Sequence, residues 1–598
     1  MMRPTIVPLV ILPVLALIGC SATTSDPQQE AREFLRMYNS VEQQLYTVSA
    51  NANWNAQSDV TDVHTGERIG ADAAHAAFTG SRYVIEGARK HLELRRSLSD
   101  LEFHQLDKIL LSAAENPGTI PEVVQARVQA EAKSSAALDS FTFCLEGSGP
   151  KCAKPISPNE IDAILRDSKD VNQRRKIWEV SKQTGPALKA NLVELRDLRN
   201  RSARELGYSS FFHLQVADYV MTVPEMMQLM DKTVVELKPL FDEMHTYARR
   251  TLALRLKQPV PAERIPAHWI GNRWAQAWPG MAEGVDLDTY FKGRPKEWIV
   301  QQAERFYTSI GMPALPKSFW EKSDLYALPA GSARKKNTHA TAWHMDRAAD
   351  VRSLMSVEPN FYWFGTAHHE LGHVYYYMAY SNDKVPPILR EGANRAFHEA
   401  VGDLMAIAAR QQPYLRQIGV LPASAKIDPL LYLLDAAFEE IVFLPWAAGT
   451  MTHFEHDLYE KNLPPDQFNK RWWEIVAQYQ KVEPPTPRGE QFCDGCTKTH
   501  IIDDPGQYYD YAMAYLIKYQ LHDYIARKIL KQDPRSCNYY GNKEVGAWLN
   551  QILSLGATGD WRTVMKEKTG EDISSRAILE YFKPVEEHLR KLNAAAAK

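Results

Sequence analysis

Apolar residues recur every three or four positions along most of the chain from residue 30 onward, with polar residues between them. The segments Glu30–Leu45 and Val123–Ala137 show this spacing most clearly, whereas runs that alternate apolar and polar residues are few. Such spacing places the apolar side chains on one face of an α-helix. The pattern predicts a mainly α fold. One short pair of strands is expected around Asn337–Trp343, where β-tolerant residues cluster.

Proline and glycine interrupt the helical pattern at intervals that separate long helices rather than independent modules. The interruptions fall at residues 116–118, 144–158, 258–266, 311–316, 386–387 and 484–487. The sequence has no internal repeat and no low-complexity linker in this region. We therefore expect a single catalytic domain over residues 30–593.

The N-terminal segment has a different composition. One basic residue precedes a short apolar run with two prolines, which is typical of an export signal and too short for a good membrane-spanning helix. Leu17–Cys20 resembles the bacterial lipobox, which predicts a lipoprotein-type signal peptide at 1–19 and a lipid on Cys20. A simple secretory signal with an incidental cysteine is the alternative. Residues 20–29 are interpreted as a polar tether.

These features predict a periplasmic lipoprotein of the bacterial cell envelope that contacts the membrane through the lipid on Cys20. Because Ser21 follows the cysteine, the outer membrane is the expected anchor.

The composition excludes other classes of protein. Hydrophobic residues make up 45% and charged residues 24%, as in an ordinary folded protein. With 70 Lys and Arg against 73 Asp and Glu and no long basic run, nucleic acid is not an expected partner.

Export would place the remaining five cysteines in an oxidising compartment, where disulfides form. Cys144 and Cys152 bracket a Gly/Ser/Pro stretch that can turn back on itself, so we expect them to pair. Cys493 and Cys496 have no second CxxC to complete a zinc site and no βαβ setting for a redox fold. A local disulfide between them is the simpler interpretation. Cys537 has no evident partner.

The segment Gly365–His373 contains a His-Glu-x-x-His motif. Positions i and i+4 share one face of a helix, so His369 and His373 can both reach one Zn²⁺ ion, and Glu370 turns toward the open coordination position. This arrangement is typical of a zinc peptidase that activates water. Because so short a pattern also arises by chance on a surface helix, a third ligand is needed.

The third ligand is predicted at Glu399, which follows the second histidine of the motif by 26 residues. Pro386, Pro387 and Gly392 break the chain between the two segments, so a second helix can return and present Glu399 to the metal. Asp403 lies four residues after Glu399 on the same helical face. We expect its carboxylate to accept the free N–H of a ligating histidine.

These residues, with several other segments in the same order, resemble the angiotensin-converting enzyme family of peptidyl-dipeptidases. The resemblance covers about residues 30–593 and implies a prolate, mainly α gluzincin fold with a deep central channel and an N-terminal helical lid. The further segments that carry it are Ile265–Trp278, His339–Trp343, Phe443–Pro445, Lys498–His500, Tyr508–Tyr511 and Tyr581–Pro584.

The resemblance also implies roles for individual residues. Glu370 would be the general base and then the acid, and Tyr511 would donate its hydroxyl to the oxyanion. His500 and His339 would hold a substrate carbonyl, and the Ala340 backbone would steady the peptide. The terminal carboxylate of the substrate would be bound by a clamp of three residues, Gln276, Lys498 and Tyr508.

The clamp predicts which product is released. A carboxypeptidase relative of the family has arginine at the position of Gln276 and removes one residue, whereas here the whole clamp is present. The chain is therefore expected to be a zinc-dependent peptidyl-dipeptidase that releases dipeptides from oligopeptides with a free C-terminal carboxylate.

Three departures from the family pattern are evident. Asp510 occupies the position of a chloride-linked arginine, and Val476, after Trp472–Trp473, that of a second. Chloride is therefore not expected as a cofactor, and a nearby base such as Lys518 or Lys498 is the alternative partner for Asp510. The family disulfide that flanks the segment around His339 is also missing.

Two alternatives remain open. A different helical zinc peptidase would share the His-Glu-x-x-His motif but not the downstream clamp, and it would cleave peptides with a blocked C-terminus. A non-catalytic peptide-binding lipoprotein on the same scaffold would be expected to lack Glu370, a metal ligand or Tyr511, and all of these are present.

Overall fold

A computed structural model describes residues 26–147, 151–282, 286–329 and 331–596. In these ranges the chain is mostly helical, which confirms the mainly α prediction. The first helices are α1 (Pro27–Ser58), α2 (Asp62–Thr79), α3 (Arg82–Leu92), α4 (Asp100–Ala113), α5 (Pro121–Asp139), α6 (Pro158–Asp167), α7 (Val171–Val180), α8 (Gly185–Glu205), α9 (Phe211–Ala217), α10 (Val223–Leu256), α11 (Lys296–Ser309) and α12 (Lys317–Lys322).

The later helices include those that carry the candidate site. They are α13 (Phe361–Tyr380), α14 (Arg395–Ala409), α15 (Gln412–Gln417), α16 (Pro429–Glu440), α17 (Thr452–Tyr459), α18 (Phe468–Tyr479), α19 (His500–Asp503), α20 (Tyr509–Tyr524), α21 (Lys543–Leu553), α22 (Trp561–Thr569) and α23 (Arg576–Ala595). There are also two π-helical segments. Pro445–Met451 directly precedes α17, and Ile525–Leu530 directly follows α20.

The strands of the described residues are short. They are β1 (Phe143–Cys144), β2 (Pro155–Ile156), β3 (Ile265–Pro266), β4 (Asp324–Tyr326), β5 (Thr341–His344), β6 (Val351–Val357) and β7 (Val482–Glu483). β1 pairs antiparallel with β2, and β3 pairs in parallel with β7. In the three-stranded sheet, β6 lies between a parallel β4 and an antiparallel β5.

The strand pair predicted around Asn337–Trp343 is only partly correct. β5 begins at Thr341, and the residues from Asn337 to Ala340 form no strand. Asn337 instead donates its backbone N–H to the carbonyl of Gln57 in α1, at 2.8 Å. This segment therefore contacts the end of a helix, and strand β5 starts after it.

The predicted signal peptide and the lipidated Cys20 lie outside the described residues. Of the predicted tether, only residues 26–29 belong to the described part of the chain. There the prediction is wrong, because α1 already begins at Pro27. Asp26 caps this helix by accepting the backbone N–H of Gln28, and a proline is favourable in the first helical turn. None of the described helices combines the length and apolar character that a membrane crossing requires.

One large hydrophobic core joins helices from α5 to α23, and a smaller apolar cluster holds the N-terminal helices against the body. Residues of α1, α3 and α4 in this cluster pack with Leu206 and Leu214 on one side and with Ile388 and Leu389 on the other. The N-terminal helices thus bridge two parts of the body, as expected for a lid.

A lysine of α4 ties the lid to the body by ion pairs. The Lys108 ammonium lies 2.7 Å from the Asp218 carboxylate and also contacts the Glu391 carboxylate. All three side chains line the cavity that contains the His-Glu-x-x-His residues. The ion pairs therefore form part of the wall of that cavity.

The structure confirms the predicted cysteine pairing. Cys144 is bonded to Cys152, and Cys493 is bonded to Cys496. Cys537 is free and buried, and burial raises the pKa of its thiol to about 12. It is therefore an unreactive core residue.

We predict that Lys108→Met loosens the lid. The substitution leaves two partly buried carboxylates without a cation, which should cost about 1–3 kcal/mol. Hydrogen exchange of α4 should accelerate at least about fivefold. Lys90→Met is the matched control, because Lys90 pairs only within the lid, with Glu30 at 2.8 Å. Equal exchange in the wild type and Lys108→Met would contradict the role of the ion pairs.

Candidate metal centre and substrate clamp

The predicted metal ligands lie on two helices that pack tightly against each other. α13 begins at Asn360, whose side chain caps it by accepting the N–H of Trp363, and α14 is capped in the same way by Asn394. At their contact, a Cβ atom on Gly372 of α13 would lie 2.9 Å from the Cα atom of Gly402 of α14. Because such a distance is a steric clash, glycine at this contact allows the helices to approach closely.

The close approach brings His369, His373 and Glu399 together, with ligand atoms of all three within 4.8 Å of one another. The Nε2 atoms of the two histidines are 3.0 Å apart, and the Glu399 carboxylate oxygens lie 3.6 and 4.0 Å from them. Ligands at zinc bond lengths of about 2.0–2.1 Å form a tetrahedron with edges of roughly 3.3 Å. Both the donor set and the spacing therefore fit Zn²⁺.

Asp403 has the orientation predicted from the sequence. One of its oxygens lies 3.0 Å from Nδ1 of His369, which leaves Nε2 of that ring directed at the cluster. Burial alone would raise the pKa of Asp403, but the Lys518 charge and the His369 hydrogen bond hold it well below its usual range. Lys518 also donates to Glu440 at 3.0 Å. A charged network thus fixes the first histidine.

His398 was not identified from the sequence, although it directly precedes Glu399. Its Nδ1 atom lies 2.7 Å from Nδ1 of His373, and its half-buried ring packs against Tyr376 and Tyr377 at the wall of the cavity described below. The two motif histidines therefore have different partners, a carboxylate for His369 and a second imidazole for His373. The only available signal was that it is a histidine adjacent in sequence to a predicted metal ligand.

Glu370 is buried beside the ligands, and its environment suits a proton acceptor. Burial raises the pKa of its carboxyl group to about 7, the Glu399 charge adds to this rise, and His369 opposes it. A carboxyl group with a pKa near neutral can take up and release a proton at physiological pH.

A cavity of about 470 Å³ extends from these residues toward the lid. His369, Glu370 and Glu399 line it, and so do His339 and Ala340. The structure therefore brings two of the sequence-predicted substrate-binding residues to the same cavity as the metal cluster.

Tyr511, His500 and Tyr508 form a second cluster on α19, α20 and the loop between them. The Tyr511 hydroxyl lies 3.4 Å from Nε2 of His500, and the rings of Tyr508 and Tyr511 are 4.8 Å apart. Burial, aided by the Lys498 charge, lowers the pKa of His500 to about 4, so its ring is neutral at pH 7. Arg395, at the start of α14, lies 5.9 Å from the Tyr511 ring and links the two clusters.

The clamp residues also meet. The Lys498 ammonium donates to the Gln276 side-chain oxygen at 2.8 Å and lies 5.7 Å from the Tyr508 ring. Tyr508 is held by the indole N–H of Trp446, which donates to its hydroxyl at 3.0 Å. Among the described residues, no carboxylate pairs with Lys498. Burial, together with the nearby Arg273 charge, lowers the pKa of its ammonium to about 8.

A base does lie beside Asp510, but it is Arg395 and neither Lys518 nor Lys498. Both lysines have other partners, and Asp510 accepts a 2.5 Å hydrogen bond from the Tyr219 hydroxyl. Its second oxygen lies 3.6 Å from Nε of Arg395, at an ion-pair distance but with no hydrogen bond. The pairing depends on helices that are remote in sequence, which spacing alone could not reveal.

Comparison with known proteins agrees with this geometry. The family model described as angiotensin-converting enzyme, Peptidase M2, matches residues 25–598. The angiotensin-converting enzyme of Theromyzon tessulatum is 27% identical, over 94% of this chain and 92% of its own length. The angiotensin-converting enzyme-related protein of Drosophila melanogaster is 30% identical, over 76% of this chain and 74% of its own length. The enzyme of Mesocricetus auratus is 28% identical, and the chain covers 43% of its length.

We predict that Gly402→Ala weakens metal binding. An added Cβ atom would lie 2.9 Å from two atoms of the His369 ring, so the ring or the helix must shift to accommodate it. The displaced imidazole should reduce zinc affinity about tenfold or more, measured by competition with a chelator. Gly70→Ala is the control, because nothing lies within 4 Å of its added Cβ atom. Unchanged affinity in Gly402→Ala would contradict the steric argument.

Proposed function

The chain belongs to the angiotensin-converting enzyme family of zinc metallopeptidases, and on this premise we propose that it releases dipeptides from the C-terminus of oligopeptides. The observation that carries the proposal is the buried ammonium of Lys498 beside Gln276 and Tyr508, which has no carboxylate partner in the described part of the chain. A buried cation without a carboxylate partner favours an anionic ligand. The C-terminal carboxylate of a peptide supplies that charge.

The dipeptide specificity follows from where the peptide is anchored. Lys498 and the Gln276 amide bind the terminal carboxylate, and the Tyr508 hydroxyl completes the clamp. A clamp that holds the carboxylate at a distance from the metal cluster leaves two residues of substrate beyond the cleaved bond. An arginine at position 276 would shift the anchor toward the metal, which is the arrangement expected for release of one residue.

His369, His373 and Glu399 would hold the Zn²⁺ ion, which when bound polarises the scissile carbonyl and acidifies the attacking water. Glu370 accepts the proton of the water and then returns it to the leaving amine. The Tyr511 hydroxyl donates to the developing oxyanion. The neutral His500 ring beside it and the His339 ring orient carbonyl groups of the substrate.

The same proposal extends to the cell envelope. An exported lipoprotein anchored through Cys20 would meet peptides in the periplasm. Its two disulfides support this location, because disulfides persist in oxidising compartments and are rare in the cytosol.

Chloride independence is part of the proposal. Asp510 is a buried carboxyl group directly before Tyr511, where an anion would meet negative charge once the group ionises. Burial raises the pKa of Asp510 to about 7 against the opposing effect of Arg395, so the group is charged at pH 8. Like charges a few ångströms apart repel by about 1 kcal/mol or more. Arg395 is meanwhile occupied by Asp504, at 2.7 Å through two nitrogens.

Product analysis by mass spectrometry tests the proposed function. We expect the full-length zinc-loaded protein to release dipeptides from peptides with a free C-terminus and to act at least about tenfold more slowly on the amidated forms. Lys498→Met should raise KM for the free peptides and remove this preference. Release of single residues, internal cleavage or equal rates on amidated peptides would contradict the clamp. Absence of any product would favour a non-catalytic binding protein.

We predict that Glu370→Gln keeps the metal and loses activity. The amide has nearly the shape of the carboxylate but cannot accept a proton, so kcat should fall by about 10²- to 10⁴-fold with little change in KM. Metal content measured in the same samples is the control for an intact site. A Glu370→Gln variant with near wild-type kcat would exclude Glu370 as the general base.

We predict that dipeptide release at pH 8 needs no chloride. A titration with sodium chloride, compared with sodium acetate at matched ionic strength, should give superimposable rates, because both salts then contribute only screening. Activation of tenfold or more that is specific for chloride and saturates would overturn this prediction.

A further inference from the structure

His398 shares a hydrogen bond with a predicted metal ligand, yet neither the sequence nor the proposed reaction assigns it a role. Its Nδ1 atom lies 2.7 Å from Nδ1 of His373, which is a hydrogen-bond distance between two ring nitrogens. Only one of these two nitrogens can carry a proton in such a bond. The question is which ring donates.

The position of the other nitrogen of His373 answers it. Nε2 of His373 lies in the metal cluster, 3.0 Å from Nε2 of His369. A nitrogen that binds a metal must be unprotonated, so the proton of the neutral His373 ring resides on Nδ1. His373 is therefore the donor, and His398 accepts through Nδ1.

This assignment leaves the proton of His398 on its own Nε2 atom. That atom is buried and has no hydrogen-bond partner among the described residues. A buried N–H without a partner destabilises the folded state. Packing therefore does not explain a histidine here, because a phenylalanine ring would fill the same space without that cost.

The surroundings hold the ring in place. Tyr376 and Tyr377 lie with their ring centroids 4.7 and 4.9 Å from that of His398, and a Cβ atom on Gly392 would meet its Cδ2 atom at 2.8 Å. These contacts restrict rotation of the ring, which lies at the wall of the cavity that the metal cluster also lines. Its one available acceptor is thus fixed toward His373.

From this geometry we propose that His398 is a positioning residue that holds His373 in the tautomer and orientation that bind zinc. α14 then supplies the partners of both motif histidines, His398 for His373 and Asp403 for His369, in addition to the ligand Glu399. The proposal rests on the zinc site of the proposed function. It assigns the two partners different chemistry, since one is an anion and the other a neutral acceptor.

Two substitutions test the proposal through metal affinity. His398→Phe keeps the ring and removes the acceptor, whereas His398→Asn places an amide oxygen near the position of Nδ1. We expect zinc affinity, measured by chelator competition on the full-length protein, to fall about 10- to 100-fold in His398→Phe. In His398→Asn it should stay within about threefold of wild type. The visible spectrum of the cobalt-substituted protein should change only in His398→Phe.

Stability of the metal-free protein separates positioning from a structural role. His398→Phe removes an unpaired buried N–H, so its unfolding midpoint without metal should equal or exceed that of wild type. His522→Phe is the matched control. His522 is a buried core histidine, and both of its nitrogens are bonded at 2.7 Å, to the Tyr539 hydroxyl and the Pro534 carbonyl. This control should lower the unfolding midpoint and leave zinc affinity unchanged.

The outcomes are distinguishable. Wild-type zinc affinity in His398→Phe, or equally weak binding in His398→Asn and His398→Phe, would overturn the role of His398. A lower unfolding midpoint of metal-free His398→Phe would also count against it, because the ring would then stabilise the fold itself. If the wild-type protein binds no zinc, the metal site of the proposed function fails instead.

Discussion

The close contact between α13 and α14 is the constraint on which the candidate site depends. Two glycines, Gly372 and Gly402, meet where a side chain on either helix would clash with its neighbour. Without that contact, ligands from two segments that are 26 residues apart could not lie within a few ångströms of one another. The helix contact therefore has to form before the residues of the motif can act together.

Burial then determines the properties of the reactive groups. Removal from water raises the pKa of Glu370 and lowers that of Lys498, because both charged forms lose hydration. The charge of each group is only partly compensated by neighbouring groups of the protein. The site therefore favours partners from outside the chain, a cation at the metal cluster and a carboxylate at the clamp.

The region behind Tyr511 differs from the clamp, because its charged groups have partners within the protein. There the chain supplies its own anions and its own cation, because Arg395 is bonded to Asp504 and lies beside Asp510. Tyr219 fills the remaining position by donating to Asp510. With both carboxylates ionised, they outnumber the one guanidinium, so this region disfavours an added anion, whereas the clamp favours one.

Interactions within one helix could be predicted from the sequence, because the period of the α-helix converts spacing directly into geometry. His369 and His373 share a face, Asp403 lies one turn after Glu399, and both short-range disulfides formed as expected. The start of α1 and the limits of β5 were less predictable, since one depends on a single capping side chain and the other on pairing with a remote strand.

Interactions between remote segments were decided only by the tertiary structure. His398 as the partner of His373, Arg395 and Tyr219 beside Asp510, and Lys108 between two carboxylates all join residues from different helices or loops. In each case a polar side chain had several partners of suitable charge elsewhere in the sequence. Packing of the apolar faces fixed the distances, and those distances selected the partners within reach.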